Sequence, residues 1–505
     1  MATVVSLLAE DFDTLARAAL RQAPLADLVE LRLDRVGHPG EERLRALIAE
    51  CPKPVIVTLH GSEAFGTFAG SVDERCETLL AAARAGARFV DVDWTLSLEL
   101  GEVEAPCHRI VSRHELQGTP DDLAAVEEAV RAVLYEGDAI KLVTHAHCTE
   151  DGLRVLRHLR SARGGLIAFC SGAAGSFTRL LAPIFGSPFT YAAAADLPGS
   201  ETLSPTAPGQ LRIDELLGAL PPGGTTPETA VLGVVGRPIA HSASPFVHGM
   251  ALKSAHLDAL YVAFEPRDFD TFLDLADDPS YRGLSVTAPF KERAFARAAS
   301  VDAASRTFGA VNTLLRDGDV WRGHNTDLGA VRQTLEATFP ACPAAAGGAT
   351  RLRDVRVLVL GAGGAARSIV GALRELGVRP TLAGRDAGRA RALALELDCD
   401  SIEWERIPEL DCQVLVNATP VGTGGDGSPV PEHWIPEGGL VLDAVYRPIR
   451  TPLLVAAHAR GSLAVPGAEW FVRQAEAQFE LFTHQPPEEG LMRAALEGIL
   501  ARELA

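Results

Sequence analysis

Positive charge is scarce in this sequence. Its 505 residues carry 47 lysines and arginines against 66 aspartates and glutamates, a formal charge of −19. Phosphate backbones and anionic bilayers reward basic patches, so nucleic-acid and membrane partners are not expected. No stretch reaches the roughly 18 consecutive apolar residues of a membrane helix. The opening residues, MATVVSLLAED, lack the basic start and long apolar core of a signal peptide, and a cytoplasmic location is expected. The eight cysteines, at 51, 76, 107, 148, 170, 342, 399 and 412, form no CxxC pair and show no ligand-like spacing. Reduced structural thiols are predicted, and no metal site.

What is present is an ordinary globular composition, 47% hydrophobic and 22% charged, sufficient to bury sizeable cores. The length predicts two or three domains. Short apolar or β-branched runs recur at 4–8, 28–33, 54–59, 87–92, 108–112, 138–144, 166–170 and 189–195. Helical stretches such as DERCETLLAAARAG and TEDGLRVLRHLRSA lie between them. Eight strands, each followed by a helix, predict a closed parallel (β/α)8 barrel over 1–217. GALPPGGTTPETA, at 218–230, reads as a linker. Strand and helix patterns resume in LGVVGRP, ALYVAFE and RGLSVTAPF, an α/β domain over 231–335. A low-complexity patch at 340–354, PACPAAAGGATRLRD, precedes RVLVLGAGGAARSIVGALRELG. That last stretch is a buried strand, a glycine turn and an amphipathic helix with Ile369, Val370, Leu373 and Leu376 on one face. A third, Rossmann-type domain is placed at 350–465, with helices over 466–505 completing the middle domain.

Barrel enzymes carry catalysis at the C-terminal ends of their strands. There, Glu30 and Arg32 face the same side of strand two, His60 closes strand three, and His114 follows strand five. Lys141 sits inside the apolar run AIKLV of strand six. A lysine so placed either snorkels to a solvated mouth or is desolvated, which exposes a nucleophilic amine. A desolvated lysine beside a histidine is equipped for Schiff-base chemistry, the amine condensing with a ketone while the imidazole moves protons.

The ordered strings VELRLD, VSRHELQGTP, AIKLVT, SFTRLLAPIFGSPFTYA and TAPGQLRI resemble the type I 3-dehydroquinate dehydratases across 1–217. The resemblance implies Lys141 as Schiff-base lysine and His114 as general acid/base. It implies Glu30, Arg32, Arg179, Thr206 and Gln210 as substrate contacts, with Arg179 opposite a carboxylate. The family commonly reads TxR and then an EGG turn, where this chain has TLHGSEAFGTF. His60 therefore stands for a substrate-facing arginine and Ala64 for its acidic neighbour, as if an ion pair had been removed. A neutral imidazole offers one donor in place of a charged fork.

In the second half, GVVGRPIAHSASPFVH sets Ser242 and Ser244 around one alanine before a proline, a turn able to donate to a carboxylate. Lys291 in GLSVTAPFKE and Asp327 in GHNTDLGA make a plausible proton-transfer pair for a carbonyl reduced by hydride. LVLGAGGAARSI carries glycines for a tight turn and close phosphate approach at a helix N-terminus. Arg385 and Arg389 suit a ribose 2′-phosphate, while Asp386 could repel that phosphate or hold a free ribose.

GRPIAHSASP, VTAPFK, GAVNT, NTD, GAGGAAR, GRDAGRA, VNATPVG, LDAVYRPIRTPLL and FVRQA together resemble shikimate dehydrogenase over 231–505. The resemblance implies Lys291 and Asp327 as the catalytic pair, and Ser242, Ser244, Thr287, Asn312, Tyr446 and Gln474 as substrate contacts. It implies NADP as cofactor, touching Gly361, Gly363, Gly364, Ala365, Arg385 and Arg389, with Asn417, Thr419 and Gly422 in a segment passing the nicotinamide. Departures are Ser285 for asparagine before VT, Gly249 for asparagine after His248, Leu328 for glycine after NTD, and Gly384 and Asp386 in the cofactor turn. The architecture implied is a barrel followed by a two-domain dehydrogenase, with small-molecule substrates. Two alternatives stay open. One is a quinate- or NAD-preferring dehydrogenase fused to a slow barrel. The other is a barrel that only binds ligand.

Overall fold

The computed structural model describes residues 2–62, 66–199, 203–343, 351–425 and 427–502. The chain forms two compact units. One comprises Met1–Val231, Asp258–Leu260 and Phe264–Ser280, the other Leu232–Leu257, Tyr261–Ala263 and Tyr281–Ala505. The position of Ala64 and the stretch 344–350 of the low-complexity patch lie outside the described residues.

The first unit holds β1 (Ala2–Leu8), β2 (Leu28–Arg32), β3 (Val55–Thr58), β4 (Phe89–Asp93), β5 (His108–Glu115), β6 (Ala139–His145), β7 (Leu166–Ser171) and β8 (Phe189–Ala193). They form a parallel sheet of order β7-β6-β5-β4-β3-β2-β1-β8, a nearly closed barrel. Side chains two apart share a strand face, and the pairs Val4 and Ser6, Leu28 and Glu30, Ile56 and Thr58, Ile110 and Ser112 show how the interior is layered. The first of each pair joins an apolar cluster with Ile167, Phe169 and Tyr191. The second is polar and lies nearer the C-terminal end of its strand. The helices start where caps allow: Ser71 and Glu74 make a capping box before Val72–Arg84, and Asp11 accepts from Thr14 N before Phe12–Gln22. His114 lies within β5, since that strand runs on to Glu115.

The second unit carries two sheets. The first contains β9 (Ala230–Val235), β10 (Ala259–Phe264), β11 (Tyr281–Val286), β12 (Ser300–Val301), β13 (Thr313–Asp317) and β14 (Val320–His324), in the order β10-β9-β11-β13-β14-β12. β13 and β14 form an antiparallel hairpin around Gly318, whose φ of +59° suits a tight turn. The Asp-Gly-Asp string at its tip is the local mark of that hairpin. β15 (Val357–Leu360), β16 (Thr381–Ala383), β17 (Asp400–Ser401), β18 (Val414–Asn417), β19 (Leu440–Asp443) and β20 (Leu463–Val465) are parallel, in the order β17-β16-β15-β18-β19-β20. That is the doubly wound order with its switch point between β15 and β18, where such sheets bind ligands. Both faces are covered. Val357, Val359, Val414 and Val416 pack into one core, Leu358, Leu360 and Leu415 into another, which is why these strands read as continuous apolar runs. No helix among the described residues is long and apolar enough to cross a membrane, and all eight cysteines are free thiols.

The helix Gly467–Thr483 is tied to the first of these sheets by a buried polar line. Tyr261 donates to Ser285 Oγ at 2.6 Å, and Ser285 Oγ donates to Gln478 Oε1 at 2.7 Å. Gln478 Nε2 donates to Asn312 O and Thr313 Oγ1, each at 3.0 Å. A buried polar group left without its partner costs about 1–3 kcal/mol. Gln478→Leu is therefore expected to lower the thermal midpoint of the second unit and its activity together, leaving the barrel's activity unchanged. Activity-monitored melting of both halves checks this, and an unshifted midpoint contradicts it.

Candidate active sites

In the barrel the polar layer is a charge cluster closed off from solvent. Lys141, 5% exposed, donates from Nζ to Asp91 Oδ2 at 2.7 Å and lies 3.6 Å from Glu30 Oε1. Glu30 also accepts from Thr58 Oγ1 at 2.8 Å and from Ser6 Oγ. Burial pushes the Asp91 and Glu30 carboxyls up, but Lys141 foremost, with His60 for Asp91 and Arg32 for Glu30, outweighs it and holds both below the usual carboxylate range. Of the two placements open to this lysine, a solvated mouth or a desolvated strand, it takes the buried one, and it is ion-paired there. Its Nζ also stands 4.3 Å from the centre of the Tyr191 ring.

Glu30, Arg32, His114, Lys141, Arg179, Thr206 and Gln210 line one pocket together with Ser6, Phe169 and Tyr191. Arg32 is anchored by Asp34, which accepts from its Nε at 3.0 Å. Thr206 Oγ1 lies 2.9 Å from Gln210 Oε1 and 3.0 Å from Ser6 Oγ. Arg179 is 1% exposed, lies 4.4 Å over the Phe169 ring, and donates to Tyr191 O at 3.2 Å. Its buried Nε has no hydrogen-bond partner among the described residues. Burial pulls its guanidinium down to about 10, and the more distant Glu30 carboxylate offsets this only in part. The His114 imidazole is held well below its ordinary value by burial first, then by His60 and Lys141.

His60 is placed differently from the expectation. It is 1% exposed and is not among the residues lining the pocket. Its Nε2 lies 3.2 Å from Asp91 Oδ1, and its ring meets that of His114 edge-on at 5.4 Å between centroids.

In the second unit, Lys291 opens the helix Lys291–Arg297 and Asp327 sits in the first turn of Thr326–Thr338. Nζ donates to Asp327 Oδ2 at 2.5 Å. The helix carrying Asp327 is held in place by Asn312, whose Oδ1 accepts from Thr326 N at 2.9 Å and whose Nδ2 donates to Thr326 Oγ1 at 2.9 Å. The Tyr446 hydroxyl accepts from Ala243 N at 3.2 Å, which brings it to the turn of Ser242 and Ser244. Thr287 follows β11, half-buried, and Gln474 lies half-buried one turn before Gln478 on the same helix.

The glycine turn ends β15. Gly361 has φ +114°, and a Cβ there would meet Ala418 O and Thr419 Cγ2 at 3.2 Å. Gly363 caps and Gly364 opens the helix Gly364–Glu375, with Ala365 behind them, and a Cβ on Gly364 would meet Lys291 Cδ at 3.2 Å. The Lys291–Asp327 pair and the turn are therefore neighbours. Arg385 and Arg389 are exposed. Asp386 is the N-cap of Ala387–Glu396, its Oδ1 accepting from Arg389 N at 2.9 Å. Asn417 is spent on its own loop: Nδ2 donates to Asp443 Oδ1 at 2.8 Å and to Val421 O at 3.2 Å, and Oδ1 accepts from Thr419 N at 3.0 Å. Gly422, at φ +106°, closes that loop.

Sequence reasoning missed Asp91, Ser6 and Tyr191 in the barrel, and Tyr261 and Gln478 beside the second site. Asp91 was findable by the rule that singled out Lys141, being a charge inside the buried run FVDVD of β4. Nothing local marks Gln478, whose partners come from distant strands.

Three family models match the chain: type I 3-dehydroquinase over residues 3–222, the shikimate dehydrogenase substrate binding domain over 234–314, and the shikimate 5′-dehydrogenase C-terminal domain over 467–497. The chain is 32% identical over 482 residues to the bifunctional 3-dehydroquinate dehydratase/shikimate dehydrogenase, chloroplastic, of Arabidopsis thaliana, covering 91% of this chain and 78% of that one. It is 36% identical over 287 residues to a shikimate dehydrogenase (NADP(+)) of Syntrophobacter fumaroxidans, covering 55% of this chain and 96% of that one. Among solved structures, a dehydroquinate dehydratase and shikimate dehydrogenase from S. pombe is 26% identical with a TM-score of 0.43, covering 99% of this chain and 98% of that one. With two thirds or more of a bifunctional relative covered at this identity, the chain belongs to the bifunctional 3-dehydroquinate dehydratase/shikimate dehydrogenase family.

Proposed function

We propose that Lys141 and His114 dehydrate 3-dehydroquinate in the barrel, and that Lys291 and Asp327 serve the NADPH-dependent reduction of 3-dehydroshikimate to shikimate in the second unit. The observation that carries the barrel reading is a buried lysine in one pocket with a buried arginine, Arg179, that has no carboxylate in ion-pair contact among the described residues. A carboxylate on the substrate supplies that contact, and binding it fixes the ring with its ketone toward Lys141. The Lys141 ammonium passes a proton to His114 and its nitrogen adds to the carbonyl carbon. The carbonyl oxygen leaves as water with that proton, giving an iminium that acidifies the adjacent C–H. His114 takes the C–H proton and returns it to the departing hydroxyl. Water later hydrolyses the product iminium to free the lysine. Glu30, Arg32, Thr206 and Gln210 hold the remaining substrate oxygens.

In the second unit, Lys291 donates to the substrate carbonyl oxygen and protonates it as negative charge develops, while Asp327 fixes the ammonium. Ser242, Ser244, Thr287, Tyr446 and Gln474 surround the substrate, and Asn312 acts by holding the helix that carries Asp327. The residues fit NADP. The side-chain-free turn of Gly361, Gly363, Gly364 and Ala365 leaves a helix N-terminus open to a diphosphate. Thr419 and Gly422 keep the following loop close, and Asn417 braces it. Arg385 and Arg389 present two charges to a 2′-phosphate. Asp386, engaged as a helix cap, is the weaker influence, which supports NADP over NAD. NADPH supplies the hydride. Domain limits of 1–217, 231–335 with 466–505, and 350–465, a cytoplasmic location, and small molecules as the only partners complete the reading.

Lys141→Ala is expected to abolish dehydration and leave reduction of 3-dehydroshikimate within a few-fold, because the two sites share no residues. Borohydride trapping with substrate, followed by mass spectrometry, should mark Lys141, and an unmodified lysine or an equal loss of both activities contradicts the assignment.

An ordinary histidine titrates near 6.5. Lowering that value keeps His114 neutral, and able to accept a proton, at more acidic pH. The acidic limb of the dehydration rate is therefore expected well below pH 6.5, and a limb centred there contradicts the buried-base account.

Arg385→Ala is expected to cut kcat/KM with NADPH by roughly 10- to 100-fold while leaving NADH little changed, the range for an exposed charge-assisted contact. A native enzyme that prefers NADH would show that Asp386 governs the site.

A further inference from the structure

Within the barrel reading just given, one buried residue has no task. His60 stands where the dehydratase resemblance implies a substrate contact, yet its ring does not line the pocket. Its backbone N–H is fixed by Asp34 Oδ1 at 2.8 Å, which also holds Arg32, so the residue is pinned from β2 as well as by its own chain. Its Nδ1 is buried with no partner among the described residues. Its Nε2 lies 3.2 Å from Asp91 Oδ1, a close polar contact that falls outside hydrogen-bond geometry. The other oxygen of the same carboxylate accepts from Lys141 Nζ at 2.7 Å.

We infer that His60 is a positioning residue for the Schiff-base lysine, acting through Asp91 rather than on the substrate. A carboxylate is a planar group with one soft torsion. With the imidazole packed 3.2 Å from Oδ1, the carboxylate has little room to turn, Oδ2 stays on Nζ and the amine stays aimed along the pocket from β6. Ser112 Oγ, 3.4 Å from Nε2, supports the ring from β5. The ionisable groups that face or adjoin His60 are Arg32 from β2 and Asp34 just after it, Asp91 from β4, His114 from β5 and Lys141 from β6. Removing the imidazole takes away the polar group packed against Asp91 Oδ1 and gives the carboxylate room to turn. The lysine then samples several directions. Misplacement on this scale costs rate more than binding.

The full-length chain separates this from a substrate contact by steady-state kinetics. His60→Leu keeps the bulk and removes the donor. It is expected to lower kcat for dehydration roughly 10- to 100-fold, the cost of misplacing a reacting group by an ångström or so, with KM nearly unchanged and borohydride trapping slowed in parallel. His60→Gln, which returns an N–H toward Asp91, is expected to recover most of the rate. A rise in KM at constant kcat, or a Leu variant as active as the native enzyme, overturns the inference. Should the Leu variant fail to fold, His60→Arg decides. Positioning predicts an unchanged KM because the donor still serves Asp91, and a fall in KM overturns it. The thermal midpoint of the barrel in the same preparations serves as the folding control, and reduction of 3-dehydroshikimate normalises for the amount of chain. A native chain that neither dehydrates nor traps substrate refutes the barrel reading itself, whereas an active native chain matched by His60→Leu refutes only the role of His60.

Discussion

Burying charge in the barrel is the constraint on which the first active site depends. An ion taken out of water costs several kcal/mol, recovered only when partners are close and well aligned. The interior meets this with one ammonium, Lys141, against two carboxylates, Asp91 and Glu30. These carboxylates are in turn braced by Thr58, Ser6 and His60. Arg179 is the exception. Its charge is buried over an aromatic ring, its Nε has no hydrogen-bond partner among the described residues, and no carboxylate there is in ion-pair contact with it, an arrangement that favours an anionic guest. The apolar layer beneath, from Val4 to Phe169, keeps the cluster at the C-terminal mouth and water away from its base.

The second unit solves a different problem, that of bringing one lysine to a glycine turn belonging to another sheet. The buried line from Tyr261 through Ser285 and Gln478 to Asn312 and Thr326 links five distant segments and ends at the helix bearing Asp327. Tyr261, Ser285 and Gln478 each donate to the next member, Asn312 and Thr326 exchange a donor each, and every break leaves an unmatched polar group. Gly364 then lets Lys291 lie directly against the turn. Ser285, where the family carries asparagine, is short enough to bridge Tyr261 and Gln478, so that departure has a structural role here.

Much of this was legible in the sequence because strand periodicity and glycine chemistry are local. The eight barrel strands fall within a few residues of their apolar runs, and the charge embedded in AIKLV pointed to Lys141. The doubly wound sheet followed from RVLVLGAGG and the helix behind it. What the structure adds has a common physical cause. The burial of His60 and the direction of its ring toward Asp91 are not encoded in its neighbours. Asn417 and Asn312 proved to spend their amides on backbone and side chains of the protein. Asp386 looked like an electrostatic obstacle to a phosphate, and only the cap geometry shows its carboxylate turned to Arg389 N. Gln478 left no trace at all, since its partners lie more than a hundred residues away.

The account's central claim is that one chain carries both reactions in sequence. Its most direct test is to give the purified full-length protein 3-dehydroquinate and NADPH, with no other enzyme, and to follow NADPH absorbance together with shikimate. The account predicts that NADPH is consumed and shikimate accumulates in equal amounts. NADPH left untouched by 3-dehydroquinate, yet consumed when 3-dehydroshikimate is supplied, would contradict it by showing a barrel that does not dehydrate.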